Sequence, residues 1–347
     1  SPDQPRDWAS FGDSVIMDGN LLGIGSSHTV KHNPHDGRFY IYDLSTGVKK
    51  TDFNPDSHAA QYFGYADYSN KVLAVQEGGN QTWGTDAAVT FYRMDGFKPT
   101  QLFRYVLPGN ASVGTARISA SGDFFITSFD NYGNTRHLFV WKVIRDNSGK
   151  AIDVEQFAKL VETGTPVSIV KHPNRGSNAI NGKYVAVGIP NAKVNGVESG
   201  AVSILKINMD GTLKRIHRLV PPDAAGGMKF GYSAAFKGDY LFVSSPEAQN
   251  GSSGKGKVYI YHLPNDDTAE VLESFYPSNS KTGETFGSYI SISADRMAIA
   301  AGSKIIYLYD VSEQGLFHLK YQMIEGNFTW DEAKSDAEKR GGHLATI

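Results

Sequence analysis

Cysteine is absent from the 347 residues of this sequence. Its absence excludes disulfide bonds, thiol nucleophiles and thiolate metal sites in one step. It does not indicate a cellular compartment, because a large β-sheet core needs no disulfides either inside or outside the cell. Long apolar runs are missing too, and no stretch approaches the length that a bilayer-spanning helix needs. The first residues, SPDQPRDW, lack the apolar core of a signal peptide and indicate a mature or trimmed start.

An excess of charge of either sign is also missing. The chain has 34 Lys and Arg residues against 36 Asp and Glu residues, and its formal net charge is −2. Proteins that bind nucleic acid or an anionic membrane surface usually carry a basic patch or a basic excess. We therefore expect no nucleic-acid partner and no membrane insertion. Recognition should be local and uncharged, or mediated by an ion.

The sequence does contain an internal repeat that begins with a Phe-Gly pair. Four copies of this pair are present, at residues 11–12, 63–64, 230–231 and 286–287. Val113-Gly114 and Pro166-Val167 occupy the same place in two further copies. Each opening is followed by an alternating strand, a polar turn, an apolar strand, a third strand such as KVYIYHL and a weaker fourth strand. Repeats of roughly 50 to 60 residues with four short strands are typical of propeller blades.

The repeat predicts an all-β fold, a β-propeller of four-stranded antiparallel blades. Six blades are visible, and we expect them to begin near residues 11, 63, 113, 167, 230 and 286. A seventh blade is possible, completed by residues 1–10 or by sequence outside this chain. The glycine of each pair lets two backbones approach closely, while the phenylalanine ring fills the wedge between neighbouring sheets. The alternative is a two-sheet sandwich with core phenylalanines and turn glycines.

One copy of the repeat carries a family resemblance. Residues 230–262 read FGYSAAFKGDYLFVSSPEAQNGSSGKGKVYIYH, which resembles the FG-GAP repeat of integrin-like β-propellers, especially the bacterial extracellular subset. The resemblance covers most of the chain and implies a secreted or cell-surface propeller used for adhesion or ligand binding. The calcium loop of the integrin type, with acidic residues alternating before a glycine, is missing from every first hairpin. The resemblance therefore does not extend to calcium in the blades.

The tail has a different pattern. Thr329 is followed three residues later by Glu332, a capping box that predicts a helix over residues 330–340. The run FTWDEAKSDAEKRGGHLATI resembles the opening of a C-type lectin-like domain. Ala337 stands where many members of that family have a half-cystine, and the segment that carries their sugar and calcium ligands would follow Ile347. The alternative is a terminal helix that caps the propeller.

These patterns divide the chain into three expected parts. Residues 1–10 form a lead or closing segment, residues 11–320 the FG-GAP-like propeller, and residues 321–347 the truncated start of a C-type lectin-like domain. Helix should be nearly absent before Thr329.

Candidate binding residues lie in the long loops between second and third strands. These loops emerge on the same face as the connections from each fourth strand to the next blade, and loops on a rigid scaffold often carry binding residues. We expect Trp83 and Tyr132 to act as stacking platforms for a ligand. Glu77, Asp130 and Glu247 are the expected hydrogen-bond acceptors near the strand ends.

The first of these loops contains His28, His32 and His35 together with Asp36. Imidazoles spaced this closely can share a divalent ion, zinc or calcium, if the loop folds back on itself. The spacing fits no established zinc motif. A solvated, histidine-rich hairpin loop is the alternative.

Two classes of function remain open at this stage. The favoured one is an extracellular adhesion or carbohydrate-binding module that acts without catalysis on a polysaccharide, or on a cell-surface glycan or protein. The rival is a polysaccharide lyase or hydrolase on the same scaffold, because propellers host both binding and catalysis. A structural surface protein is a third possibility. The sequence has no recognisable paired-carboxylate or Ser/His/Asp motif, which favours the binding module.

Overall fold

The computed structural model describes twelve segments, residues 11–26, 37–54, 61–78, 88–106, 111–131, 135–163, 177–250, 254–277, 285–292, 296–302, 305–312 and 315–321. Every regular element in these segments is a β-strand. No helix in this part of the chain is long and apolar enough to cross a membrane. The predicted tail helix at residues 330–340 and the predicted closing segment at residues 1–10 lie outside the described residues.

The first half of the described chain forms three sheets of four antiparallel strands each. We number these sheets blades 1 to 3. Their strands are β1 (Phe11–Asp18), β2 (Leu21–Ser26), β3 (Arg38–Asp43), β4 (Val48–Phe53), β5 (Gln61–Ser69), β6 (Val72–Gly78), β7 (Ala88–Asp95), β8 (Lys98–Val106), β9 (Ala111–Ser121), β10 (Phe124–Asn131), β11 (Thr135–Arg145) and β12 (Ala151–Thr163).

The second half forms blades 4 to 6 in the same way, with one additional two-stranded hairpin. The strands are β13 (Asn178–Ile180), β14 (Tyr184–Ile189), β15 (Lys193–Val194), β16 (Val197–Glu198), β17 (Ala201–Ile207), β18 (Leu213–Leu219), β19 (Ala234–Lys237), β20 (Tyr240–Asn250), β21 (Gly254–His262), β22 (Glu270–Phe275), β23 (Phe286–Ile292), β24 (Arg296–Ala301), β25 (Ile305–Ser312) and β26 (Gly315–Tyr321). The hairpin is β15–β16, inserted between the second and third strands of blade 4.

The sheets are arranged side by side through their first strands. β1 packs on β5, β5 on β9, β9 on β13, β13 on β19, and β19 on β23. Within every blade the strands follow chain order, so the first strand is innermost and the fourth is outermost. The prediction of six four-stranded blades is confirmed, and the two-sheet sandwich is excluded.

Inner strands of the blades are more buried than outer strands. All six residues of the second strand β14 are buried, as expected for a strand covered on both faces. The outermost strand β22 is exposed at every position except Phe275. Lys214 and Arg215 of the outer strand β18 also face solvent. The hydrophobic core therefore lies between blades rather than within one sheet.

Each boundary between neighbouring blades has its own apolar cluster. The cluster between blades 4 and 5 includes Tyr184, Phe230 and Tyr259, all of them fully buried. Four similar clusters join blades 1 and 2, 2 and 3, 3 and 4, and 5 and 6. Burial of each large side chain contributes about 1.5–3 kcal/mol. The blades therefore stabilise one another, as in other repeat architectures that stack neighbouring units.

The Phe-Gly pair packs as the sequence predicted. Phe230 is fully buried, and its ring meets the Tyr259 ring edge-on with 5.3 Å between the centroids. Gly231 has a φ of +87°, and a Cβ there would lie 2.7 Å from the Ala201 carbonyl oxygen. No side chain fits at that distance, so the backbone of blade 5 approaches blade 4 only because this residue is glycine.

Two details differ from the sequence prediction. Several strands are longer than the short strands that the repeat predicted, and β12 has 13 residues. Two segments expected to be long loops are instead extensions of paired strands, in which Asp130 pairs with Arg136 and Gln249 with Lys255. The extension has a physical reason, since continued pairing supplies backbone hydrogen bonds that an open loop would leave to water.

The predicted blade openings agree with the structure where it describes them. β5 begins at Gln61, β9 at Ala111 and β23 at Phe286. Blade 5 is joined to blade 4 at the predicted residue, through an isolated bridge between Phe230 and Gly200. The predicted opening at Pro166-Val167 lies outside the described residues.

Candidate ligand-binding face

The two ends of the blades differ in the connections they carry. At one end, tight turns join first to second strands, as between β9 and β10 at residues 122–123. At the other end, longer segments join second to third strands and lead from each fourth strand to the next blade. We call this second end the loop face. Its described part is most complete between blades 4 and 5, at residues 190–200 and 220–233.

The hairpin β15–β16 lies on the loop face, between the second and third strands of blade 4. Its turn is Asn195-Gly196, with φ values of +50° and +85°. Two consecutive positive φ angles define the type I′ turn, for which Asn-Gly is the preferred sequence. Val197 at the tip is 40 % exposed. The sequence contained this signal, but the segment was predicted only as a loop.

The connection from blade 4 to blade 5 and the outer strand of blade 4 hold the hairpin in position. The Gly227 N–H donates to the Glu198 carbonyl oxygen at 2.8 Å. The Lys229 ammonium donates to the Asn191 side-chain oxygen and lies 3.4 Å from the Glu198 carboxylate. From the outer strand of blade 4, the Arg218 guanidinium donates to the Lys193 carbonyl oxygen at 3.2 Å. These contacts come from the outer strand of blade 4 and from the connection to blade 5, so the hairpin is fixed at the boundary between the two blades.

A second polar group lies close by, at the connection from blade 4 to blade 5. Asp223 accepts hydrogen bonds from the Lys257 ammonium and the Tyr259 hydroxyl, both at 2.6 Å. Burial favours a raised pKa for Asp223, but these two donors outweigh it and hold the pKa below its usual range. Burial together with the Asp223 charge raises the pKa of Tyr259. Asp223 is therefore an anion and Tyr259 a neutral donor at neutral pH.

Glu77, one of the predicted acceptors, is buried in blade 2. Its two carboxylate oxygens accept hydrogen bonds from Arg104, at 3.0 Å from Nε and 2.6 Å from Nη2. The Thr90 hydroxyl donates to the same carboxylate at 2.7 Å. The Glu77 side chain is only 1 % exposed. A ligand would have to displace Arg104 to reach this carboxylate.

The other two predicted acceptors lie in different blades. Glu247 is half-buried in β20, and its backbone N–H donates to the Met228 carbonyl oxygen at 3.2 Å. Asp130 lies near the end of β10, where it pairs with Arg136 and Ser112. The structure brings Glu247 close to the Lys229 region of the loop face. It does not bring Glu77, Asp130 and Glu247 together.

The remaining predicted site residues lie outside the described residues. These are the stacking candidates Trp83 and Tyr132 and the metal-binding candidates His28, His32, His35 and Asp36. Within the described segments, no group of three or more His, Asp or Glu side chains is arranged to hold a metal ion. The metal site stays a prediction of the sequence.

The described part of the loop face offers hydrogen-bonding groups rather than an isolated acid and base. Lys229, Asn191 and Glu198 present an ammonium, an amide and a carboxylate at one boundary between blades. Such a set can orient a neutral, hydroxyl-rich ligand, because hydroxyl groups both donate and accept hydrogen bonds. The sequence did not predict this group around Lys229. Its partners Glu198 and Asn191 are 31 and 38 residues away in the chain, so no local pattern brings them together.

Comparison with known proteins supports the repeat. Residues 214–261 match the family model described as the FG-GAP repeat. The match begins in β18 and includes the Phe230-Gly231 pair and most of β21, so it crosses the boundary between blades 4 and 5. No curated protein matches the chain.

Two solved structures show the same fold at low sequence identity. The β-propeller domain of the Trilobed protease from Pyrococcus furiosus, described as having an open velcro topology, is 11 % identical with a TM-score of 0.53, and the match covers 91 % of this chain and 86 % of that chain. The periplasmic gluconolactonase of Pseudomonas aeruginosa is 13 % identical with a TM-score of 0.54, covering 87 % and 83 %. At these identities the likeness shows the propeller fold alone.

Proposed function

We propose that this chain is an extracellular binding module that recognises a polysaccharide, or a cell-surface glycan or protein, through its loop face and without catalysis. The observation that carries the proposal is the anchored hairpin β15–β16 on the loop face, which is held by contacts from the outer strand of blade 4 and from the connection to blade 5. A rigid scaffold that presents loops loses little conformational entropy on binding. Adhesion is proposed as the setting because the repeat at residues 214–261 resembles that of integrin-like propellers.

Recognition of a sugar chain on this face combines stacking with hydrogen bonding. Trp83 and Tyr132 supply the aromatic platforms, and each platform contributes roughly 1–2 kcal/mol, mainly by removing apolar area from water. Lys229 and its neighbours supply hydrogen bonds that orient the ligand. Residues 321–347 then begin a C-type lectin-like domain, which extends the binding function of the propeller.

The first test is polysaccharide binding by variants of the stacking residues. Trp83→Ala and Tyr132→Ala should each weaken binding about tenfold, because roughly 1.4 kcal/mol is a factor of ten. Their melting temperatures should stay near that of the unchanged chain. Tyr240→Ala is the matched control, since Tyr240 is an aromatic residue 37 % exposed at the opposite end of blade 5. Affinity is measured by isothermal titration against soluble polysaccharides.

A second variant tests the described part of the loop face. Lys229→Met keeps the length and apolar stem of the side chain but removes the ammonium that reaches Asn191 and Glu198. Binding should weaken while the fold is kept. Lys214→Met, on the outer strand of blade 4, removes an exposed ammonium away from the loop face and should leave binding unchanged.

The enzyme alternative predicts different results from the same proteins. A lyase or hydrolase releases unsaturated or reducing-end products over time. Product release that is lost on changing His28, His32 or His35, together with binding that survives Trp83→Ala and Tyr132→Ala, contradicts the proposal. Protease shaving of intact cells followed by detection of released chain tests the extracellular location, and a chain that stays protected inside the cell contradicts it.

A further inference from the structure

The sequence contains three Asn-Gly pairs, at residues 181–182, 195–196 and 250–251. Asparagine is a thermally labile residue, and it reacts most readily when glycine follows, because no side chain shields the glycine nitrogen. The structure describes the first two pairs in full, and both belong to blade 4. The two pairs have the same residues but differ in what surrounds the asparagine amide.

The amide of Asn181 is held by three hydrogen bonds. Its Nδ2 donates to the Gly238 carbonyl oxygen of blade 5 at 3.0 Å. Its Oδ1 accepts from the Lys183 N–H at 3.1 Å and from the Tyr184 N–H at 2.7 Å. A reaction at this side chain therefore has to break contacts within blade 4 and with the neighbouring blade.

The amide of Asn195 is free of such contacts. Asn195 and Gly196 form the turn of the hairpin β15–β16, and both are exposed. Within the described segments, no hydrogen bond holds the Asn195 side chain. The strand pairing of the hairpin ends at Val194 and Val197, so the two turn residues lie beyond it. Water therefore reaches the whole turn.

The tip of the hairpin can open while its base stays in place. Contacts from the rest of the molecule reach the base, at the Lys193 and Glu198 carbonyl oxygens. Only the pair of Val194 with Val197 lies between these anchors and the turn. A two-stranded hairpin has little stability of its own in water. Opening also releases Asn195 from a φ of +50°, which is unfavourable for a residue with a side chain.

Opening of the tip has a chemical consequence. The left-handed backbone of the closed turn fixes the Gly196 nitrogen relative to the Asn195 side chain. Once the tip opens, rotation about the backbone of Asn195 lets this nitrogen approach the side-chain carbonyl carbon. A reaction within one chain is fast when its two groups meet in this way, because no second molecule has to be brought in.

We propose that Asn195 is a site of spontaneous deamidation, which alters the loop face as the molecule ages. The Gly196 backbone nitrogen attacks the Asn195 side-chain carbonyl carbon and loses its proton. The bond from that carbon to Nδ2 breaks, and ammonia leaves with the proton. Water then opens the resulting succinimide at either of its two carbonyl groups. The products are aspartate and isoaspartate, and water is the only co-reactant.

Either product changes the hairpin. Both place a new negative charge at its tip, where the unmodified amide is neutral. In isoaspartate the main chain also runs through the former side chain, so the turn becomes longer by one carbon atom. A type I′ turn joins its strands through two residues of ordinary backbone length. The longer turn therefore separates Val194 from Val197 and leaves the tip of the hairpin open.

Ageing of the folded chain tests the assignment. The chain is incubated in a mildly alkaline buffer, which favours loss of the Gly196 amide proton, and is then digested with trypsin. The peptides 176–183 and 194–206 report on Asn181 and Asn195 separately by mass spectrometry. Replacement of NH₂ by OH should be at least about tenfold faster at Asn195, because the hydrogen bonds of Asn181 must break first. Equal rates, or a faster reaction at Asn181, overturn the proposal.

The same chain unfolded in guanidinium chloride is the matched control. Both asparagines are then exposed and both precede glycine, so their rates of deamidation should become similar. A preference for Asn195 that persists in the unfolded chain would show that the adjacent residues set the rate. That result would overturn the role assigned to the hairpin.

Hydrogen exchange tests the effect on the hairpin. The backbone amides of residues 194–198 should exchange faster in the aged chain than in the fresh chain. Asn195→Gly keeps a residue that tolerates the left-handed turn but has no amide, so ageing should leave its exchange unchanged. Exchange that stays slow after Asn195 has reacted overturns the proposed effect, and so does an equal rise in the glycine variant.

Discussion

The hydroxyl oxygen of Ser233 accepts a hydrogen bond of 3.0 Å from the backbone N–H of Ile290, which belongs to the next blade. The Ser177 hydroxyl accepts the same bond from the Ala234 N–H at 2.5 Å. Each pair is 57 residues apart, so the contact repeats with the blades. It joins the residue just before the first strand of one blade to the first strand of the next, and it gives the serine in the motif FGYS a structural role.

Removal of the Ser233 hydroxyl should destabilise the chain by about 1–3 kcal/mol. Ser233 is 4 % exposed, so Ser233→Ala leaves the Ile290 N–H buried without this acceptor. The cost is the desolvation of an unsatisfied buried donor. Ser274→Ala on the exposed outer strand β22 is the control and should change stability by less than about 0.5 kcal/mol. Urea unfolding measures both, and equal effects of the two variants would contradict the structural role of the hydroxyl.

Glycine should be irreplaceable at the start of a third strand that precedes a Phe-Gly pair. Gly256 has a φ of +103°, and a Cβ would meet the Phe286 backbone. We expect Gly256→Ala to cost about 3 kcal/mol or more, from overpacking and an unfavourable φ together. Gly238→Ala is the matched control, with a φ of +54° and open space around it. Gly238→Ala should destabilise the chain by about 1 kcal/mol, because only the unfavourable left-handed backbone conformation contributes. Thermal unfolding measures both variants. Equal destabilisation by the two would show that crowding at Gly256 is not the cause.

The Phe-Gly repeat was sufficient to predict the blades because each copy repeats the same local packing at Phe230 and Phe286. The lengths of the strands were not predictable in this way. The pairing of Gln249 with Lys255 depends on the partner strand, and neither residue type favours a strand on its own.

The environment of Glu77 was also not predictable from the local sequence. The sequence placed an acceptor near the end of a strand, but its partner Arg104 lies 27 residues away on the fourth strand of the blade. Distances between strands of one blade depend on the fold and not on the local sequence. By contrast, the Asn195-Gly196 turn was readable from two adjacent residues, because its type depends only on local backbone preference.

Substitution of Arg104 should lower the stability of the fold more than substitution of an exposed basic residue. Arg104→Met removes the partner of the buried Glu77 carboxylate and should cost about 3–5 kcal/mol, because an uncompensated charge is left in the interior. Lys183→Met breaks an exposed pair with Asp266 at 3.8 Å and should cost about 1 kcal/mol or less. The comparison is made by urea unfolding at neutral pH, and a small effect of Arg104→Met would mean that water reaches Glu77.

Asp67 should make the chain more stable in mild acid than at neutral pH. Its carboxylate accepts hydrogen bonds of 2.8 Å from the N–H groups of Tyr68 and Ala120, the latter in blade 3. Burial nevertheless raises the pKa of Asp67 to about 6 from a model-peptide value of 3.8. Between these two pH values the folded chain holds a proton that the unfolded chain has lost. The contribution of Asp67 to the free energy of unfolding is therefore complete below about pH 4 and is lost as the pH rises through 6.

The variant Asp67→Asn removes this titration and isolates it from that of other carboxyl groups. The free energy of unfolding of the unchanged chain should rise relative to the variant by at most about 3 kcal/mol between pH 7 and pH 4, since one pKa unit corresponds to about 1.4 kcal/mol. Asp210→Asn is the control of opposite sign, because the Thr212 hydroxyl and backbone N–H lower the pKa of Asp210. The stabilisation from Asp210 should be present above pH 4 and lost below it. Urea unfolding from pH 3 to pH 7 measures both differences, and a difference for Asp67→Asn that stays constant between pH 4 and pH 7 would show that the carboxyl group is well solvated.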